Sequence, residues 1–242
     1  MSAFPLLDVC DVSKSFGGLK AVDKVSLSVN AGEIVSIIGP NGAGKTTFFN
    51  LLTGQKKPSG GQIRFKGKEI THMRPHHRAR LGFGRTFQIS QTMTSLSVLE
   101  NAMIGAFLKL RSNQAAAERA MSALEAVGLG EKFDRKSQEL TLGERRRLEV
   151  ARAIAMRPDI ILLDEVMAGL NETEITEILD LVHKLNSAGT TFLVIEHNLK
   201  VVRAFSRRVI VLDRGTLLAS GNAEEVLSDP AVITAYLGAS AS

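Results

Sequence analysis

Gly39-Pro40-Asn41-Gly42-Ala43-Gly44-Lys45-Thr46-Thr47 lies between two apolar segments of different period. Before it, Ile34-Val35-Ser36-Ile37-Ile38 is a short apolar run, which predicts a fully buried strand. After it, Phe48, Leu51 and Leu52 recur at helical spacing and Gly54 supplies a stop. The stretch therefore reads as strand, glycine-rich turn and helix.

That order has a chemical use. Consecutive backbone N–H groups in such a turn point inward at phosphate oxygens, and a Cβ at Gly39, Gly42 or Gly44 would block the approach or the positive φ values the turn needs. The helix starting near Lys45 places its positive dipole end under the same phosphates. Lys45 would reach the β- and γ-phosphates, and the Thr46 hydroxyl would bind Mg²⁺. A chance glycine-rich turn accounts for neither the strand before it nor the helix after it, so the stretch is read as a P-loop for a nucleoside triphosphate.

The 242 residues, 44% hydrophobic and 23% charged, suffice for one well-buried core, or one core plus a small attached lobe. No apolar run approaches the roughly 20 residues that span a bilayer. Met1 to Pro5 shows no basic and apolar leader pattern, so no signal peptide is expected. The single cysteine, Cys10, excludes an internal disulfide, fits a reducing compartment and is expected as a small apolar residue of an early strand. The net charge of +5 is compatible with nucleic acid or an anionic lipid surface, but the basic residues are dispersed and aromatics are only 5%, so no stacking platform for single strands emerges.

Residues 6–30 predict β structure, with clean alternation over Val25–Asn30. Phe16, in a glycine-bounded loop, is either local core or a flat surface beneath an adenine ring, and its position does not decide between them. Gln62 to Lys66 alternates and turns at Gly67-Lys68, which adds to an antiparallel lobe. His72, His76 and His77 lie among Arg74, Arg78 and Arg80; with no cysteine or acidic residue to complete a metal set, a solvated basic loop or helix is expected. A strand is expected over Leu81–Phe87, then helices over 97–110 and 114–127 that form an inserted helical subdomain. Leu140–Glu144 leads a helix from Arg145 to Arg157, which Pro158 ends.

Ile160-Ile161-Leu162-Leu163 predicts another buried strand ending in Asp164-Glu165, two carboxylates where open α/β sheets bind ligands. Asn171 and Glu174 form a capping box for a helix with a strong apolar stripe. Thr191–Ile195 is a strand followed by Glu196-His197, residues 209–219 a hairpin, and Asn222 and Pro230 open the last two helices. Asp164 would hold Mg²⁺ beside the P-loop, and Glu165 would polarise a water for in-line attack on the γ-phosphorus. His197 could donate to the γ-phosphate, although alone a capping or core histidine would be favoured, and Gln88 could orient water or metal. Together the four argue for nucleotide hydrolysis.

The chain resembles the ATP-binding cassette (ABC) ATPases over nearly its whole length. Gly39–Thr47 matches the family's Walker A motif, and Ile160–Glu165 matches Walker B with its glutamate. Leu140–Glu144 stands at the signature, Ala168–Asn171 at the D-loop, His197 at the switch histidine and Gln88 at the Q-loop. The signature keeps Thr141 and Gly143 but has Leu142 and Glu144 where the family has glycine and glutamine; Val166 replaces a proline, and Phe16 stands where many members have tyrosine. Arg85-Thr86-Phe87-Gln88, Glu165 to Asn171, Glu196-His197-Asn198 and the ending Asp229-Pro230 to Gly238 are similar to ATPase subunits of branched-chain amino acid importers, features that urea and short-amide importers share.

The resemblance implies an α/β P-loop core with a mainly parallel sheet, an antiparallel β lobe and an inserted helical subdomain. It implies a single nucleotide-binding domain, with its core over about 1–88 and 158–242 and the helical part over about 89–157. ATP and Mg²⁺ are the implied ligands: Gly39, Pro40, Asn41, Gly42, Ala43, Gly44, Lys45, Thr46, Thr47 and Phe16 would bind the nucleotide, and Thr46, Gln88 and Asp164 the metal. Lys45, Gln88, Glu165 and His197 would carry the catalysis, while Thr141, Gly143 and Glu144 would close the site of a partner. The implied assembly is a homodimer, or a heterodimer with a related ATPase, on transmembrane permease subunits at the cytoplasmic face of the inner membrane. A solute-binding protein takes part indirectly and nucleic acid does not. A soluble ABC ATPase of translation or DNA repair is the alternative, but such relatives carry two cassettes or a long coiled coil, and this chain has one Walker A and no long heptad run. A GTPase would need an Asn-Lys-x-Asp motif, which is absent.

Overall fold

The structure, a computed structural model, describes residues 4–86 and 93–239. In chain order the elements begin with β1 (Leu7–Phe16), β2 (Leu19–Val29), β3 (Ile34–Ile38), α1 (Lys45–Leu52), β4 (Gly60–Phe65), β5 (Lys68–Glu69) and α2 (Pro75–Leu81). They continue with β6 (Phe83–Arg85), α3 (Val98–Ala106), α4 (Asn113–Ala126), α5 (Leu142–Ala155), β7 (Ile160–Asp164) and α6 (Glu172–Ser187). The chain closes with β8 (Thr191–Ile195), α7 (Leu199–Phe205), β9 (Arg208–Asp213), β10 (Thr216–Asn222), α8 (Ala223–Leu227) and α9 (Pro230–Ala239).

Two compact units result, one of Met1–Arg78 with Thr191–Ser242 and one of Ala79–Thr190. In the first, β3 runs parallel to β8 on one side and β9 on the other, and β10 returns antiparallel to β9. All five residues of β3 are buried, as a strand covered on both faces requires. β2, β1, β4 and β5 form a separate antiparallel sheet in that order. Its last hairpin turns at Lys66-Gly67, and the β9–β10 hairpin at Arg214-Gly215; each turn has two successive positive φ values, the geometry that matches strand twist.

In the second unit β6 and β7 pair in parallel, while α3, α4 and α5 pack on one another. α3 and α6 open with capping boxes, Ser97 with Glu100 and Asn171 with Glu174.

Several sequence expectations change. The strand expected over Leu81–Phe87 is only Phe83–Arg85, because Leu81 completes α2 and Gly82 turns with φ +121°; Phe87 lies outside the described residues. α3 is shorter than the expected 97–110, since Ser97 is its cap and it ends at Ala106. Cys10 is exposed rather than packed, because Leu7 and Val9 take the inward positions of β1 and alternation turns Cys10 out. Arg78 is no solvated member of a basic patch: it is 1% exposed and spends its guanidinium on backbone carbonyls at the end of α1.

Candidate functional site

The phosphate loop grows directly out of β3. Gly39, Gly42 and Gly44 have φ of +151°, +81° and +95°, values that L side chains rarely adopt. A Cβ on Gly39 would fall 2.1 Å from the Leu212 carbonyl oxygen, and one on Gly44 2.3 Å from that of Ala21. At these two positions neighbouring backbone, as well as an incoming phosphate, demands glycine. At Gly42 a Cβ would meet nothing within 4 Å, so there the backbone angle alone excludes a side chain.

Further bonds brace the loop. Gly215 N–H donates to the Ala43 carbonyl (3.1 Å), Ala43 N–H to that of Pro40 (3.2 Å), and Gly39 N–H to the Tyr236 hydroxyl (2.7 Å). Lys45 Nζ donates to the carbonyls of Gly39 (2.6 Å) and Pro40 (3.0 Å). Asn41, Gly42 and Thr46 are exposed, while Thr47 is half-buried.

The start of α1 differs from six other helix starts of the chain. Ser97, Ser112, Thr141, Asn171, Asn198 and Asn222 each cap a helix with a side-chain oxygen. α1 follows Gly44, has no side-chain cap and carries no acidic residue in its first turn. A helix start without a side-chain cap or an acidic first turn suits an external anion, and the dipole favours one. The cradle fits a phosphate chain, and the exposed Thr46 hydroxyl on the same first turn fits a divalent cation bound to it.

Phe16 is 42% exposed at the end of β1, with Lys14 Nζ 5.3 Å and Lys56 Nζ 5.4 Å from its ring centroid. It is a flat, cation-flanked surface rather than local core. His197 is exposed after β8, and the cap of α7 is Asn198, so His197 is neither a core nor a capping histidine.

In the second unit, β7 delivers Asp164 at 1% exposure. Arg85 Nη2 lies 2.8 Å from Asp164 Oδ2, and Asp164 N–H donates to Thr86 Oγ1 at 3.4 Å. Glu165 follows at φ +50°, an uncommon conformation for a non-glycine residue, and its carbonyl accepts the Ala168 N–H at 3.1 Å. Gln88 lies outside the described residues.

α5 begins at Leu142, three residues before the sequence expectation, because Thr141 and Glu144 form a capping box. Thr141 Oγ1 accepts the Glu144 N–H, and the Glu144 carboxylate accepts the Thr141 N–H and pairs with Lys132. Burial alone would raise the Glu144 carboxyl pKa, but Lys132 and the Thr141 N–H outweigh it and hold it below the usual value. Glu144 is thus an anion committed to the helix start. The Thr-x-x-Glu spacing was the available signal for this cap. A Cβ on Gly143 would fall 2.5 Å from Glu174 Oε1.

Among the described residues, no group of three or more His, Cys, Asp or Glu is arranged to hold a metal ion, and no helix is long and apolar enough to cross a membrane.

A parallel strand feeding a glycine turn and an uncapped helix defines a P-loop nucleotide-binding protein. The family model described as "ABC transporter" matches residues 22–168, and that described as "Branched-chain amino acid ATP-binding cassette transporter" matches 216–242. The chain is 42% identical to the high-affinity branched-chain amino acid transport ATP-binding protein LivG of Salmonella typhimurium, over 97% of this chain and 98% of that one. An ATP-binding cassette of an ABC transporter in its ADP conformation superposes with TM-score 0.89 at 36% identity, covering 96% of this chain and 98% of that one. A dimeric cassette bound to ADP and Pi in a post-hydrolysis state superposes with TM-score 0.81 at 28% identity, covering 90% and 98%. The chain belongs to the ABC transporter family of ATP-binding subunits. It is a nucleotide-binding ATPase of that family.

Proposed function

We propose that this chain is the ATP-hydrolysing subunit of a membrane importer for branched-chain amino acids or a related small polar solute. The observation that carries this reading is the near full-length similarity to a branched-chain amino acid transport subunit, supported by the separate match of its C-terminal residues 216–242. The whole chain then acts as one nucleotide-binding domain, with a core over about 1–88 and 158–242 and a helical part over about 89–157.

The P-loop amides and Lys45 hold the phosphates, and Phe16 lies under the base. Thr46 and Asp164, with Gln88, would hold Mg²⁺, which when bound offsets charge on the phosphate oxygens. Glu165 orients the attacking water and takes its proton, so that the γ-phosphoryl group leaves ADP as inorganic phosphate. His197 donates to the γ-phosphate oxygens. Thr141 and Gly143 serve the site of a second chain, identical or related, in a head-to-tail pair; the carboxylate of Glu144 serves the cap instead. The pair docks on permease subunits at the cytoplasmic face of the inner membrane, a solute-binding protein delivers the solute, and no nucleic acid is involved.

Deleting the gene should abolish high-affinity uptake of labelled leucine, isoleucine and valine in the parent cell, and the wild-type chain should restore it. Lys45→Ala should restore none and should hydrolyse ATP on the order of 100-fold or more slowly, because the phosphates lose their counter-charge. Unchanged uptake on deletion overturns the substrate; near-normal hydrolysis by Lys45→Ala overturns the site.

Docking on the permease needs exposed apolar anchors. Met93 is 50% exposed, Ile104 37% and Phe107 42%, whereas Val98 is fully buried and belongs to the core. Met93→Glu should lose co-purification with the membrane subunits while keeping ATP turnover and thermal stability. Val98→Glu should unfold the protein. Full recruitment of Met93→Glu would move the docking surface elsewhere.

A further inference from the structure

We propose that Tyr236 is a positioning residue of the phosphate loop: its hydroxyl holds the Gly39 N–H, so that α9 sets the loop's geometry for nucleotide. This rests on the reading of Gly39–Thr47 as the nucleotide cradle.

The bond spans the chain, joining positions 197 residues apart at 2.7 Å. Gly39 is buried where β3 ends, and a buried N–H without an acceptor is costly. α9 is seated firmly enough to supply that acceptor. Val232 is 2% exposed in a cluster with Ile38, Val209 and Val211, and Tyr236, one helical turn on, packs against the same cluster. Beyond this bond, the outer side of the loop and α9 line a cleft of about 810 Å³ whose walls include Asn41, Gly42, Pro230 and Thr234. Burial pushes the Tyr236 phenol up to about 12, so it stays neutral at physiological pH and adds no negative charge beside a phosphate site.

Gly39 is held at both ends of its residue. Tyr236 takes its N–H, and Lys45 donates to its carbonyl at 2.6 Å. Lys45 also donates to the Pro40 carbonyl, so its ammonium braces the start of the loop from one side while the Tyr236 hydroxyl braces it from the other. Because the Tyr236 bond acts on the loop before and during reaction alike, its loss should weaken binding rather than the chemical step.

The test is Tyr236→Phe, which removes one oxygen and keeps the ring packed. ATP affinity measured by calorimetry should fall about fivefold, within the range set by one net hydrogen bond. KM for ATP should rise by more than kcat falls. Hydrogen exchange at the Gly39 amide, protected in the wild-type protein, should quicken about tenfold in the variant. Tyr236→Ala should lose thermal stability as well, separating ring packing from the hydroxyl's role. An unprotected Gly39 amide in the wild type overturns the proposal without any variant. So does a Tyr236→Phe protein that binds ATP within about twofold of wild type. A wild-type chain that binds no ATP instead overturns the cradle reading itself.

Discussion

Glu165→Gln should bind ATP as the wild type does and hydrolyse it on the order of 10² to 10⁴-fold more slowly. The carboxylate follows a strand buried along all five residues, and the backbone at Glu165 is bent to φ +50°. Such a conformation costs energy and persists only where its surroundings fix it. Here Val166 and Met167 are buried immediately after it, and the Glu165 carbonyl accepts the Ala168 N–H. Glutamine has nearly the same shape, so it can occupy the same strained turn. What it lacks is the ability to take a proton from the attacking water. Single-turnover hydrolysis measures the loss, and calorimetric ATP affinity verifies that the site is intact. In the head-to-tail pair proposed above, ATP that is bound but not cleaved should also accumulate a dimer on size-exclusion chromatography. A variant that stays monomeric at saturating ATP removes support for the pair; one that hydrolyses ATP at near the wild-type rate removes Glu165 from its role.

What the sequence made legible was local chemistry. Glycines at 39, 42 and 44 between a β-period and a helical period left few alternatives, and the observed φ values are positive at all three. The Asn171–Glu174 box is legible because a cap and its partner are three residues apart. The Thr141–Glu144 box has the same spacing, but it coincides with the signature residues, so two readings compete for the same side chains. Features that depend on distant partners were out of reach. That Arg85 meets Asp164 follows from the pairing of β6 with β7, where Arg85 stands opposite Leu162, and no local pattern specifies that register. Tyr236 was legible only as part of a family-like ending, because its acceptor role depends on Gly39 across nearly the whole chain. Val98 opens α3 and Met93 precedes it; both are apolar, yet one is fully buried and the other half exposed, which no local pattern distinguishes.

Arg78→Ala should cost about 3–5 kcal/mol of stability. In sequence Arg78 is one basic residue among several. In the structure its Nη1 donates to the carbonyls of Leu51 (2.7 Å) and Leu52 (2.6 Å), its Nη2 to that of Thr71 (2.8 Å) and its Nε to that of Met73 (3.0 Å). Leu51 and Leu52 end α1, whose last carbonyls need donors and whose negative dipole end favours a cation. Burial pushes the guanidinium down to about 10, which still leaves it charged at neutral pH. Alanine would remove the Arg78 donors from the carbonyls of Leu52, Thr71 and Met73, leave Leu51 with the Gly54 N–H, and open a cavity at the end of α1. The neighbouring Gly54 gives no room to compensate, since its φ is +77° and a Cβ there would already fall 2.7 Å from the Met73 carbonyl oxygen. Lysine should recover only part of the loss, because a single ammonium cannot reproduce the planar fork. Arg74→Ala, at an exposed position of the same basic segment, should change stability by no more than about 0.5 kcal/mol. Urea unfolding of the three variants measures the difference. ATP affinity of Arg78→Ala at a temperature where it remains folded should also fall, because α1 presents its other end to the phosphates. If Arg78→Ala and Arg74→Ala shift the midpoint equally, the carbonyl cluster contributes little and α1 is held by its apolar face alone.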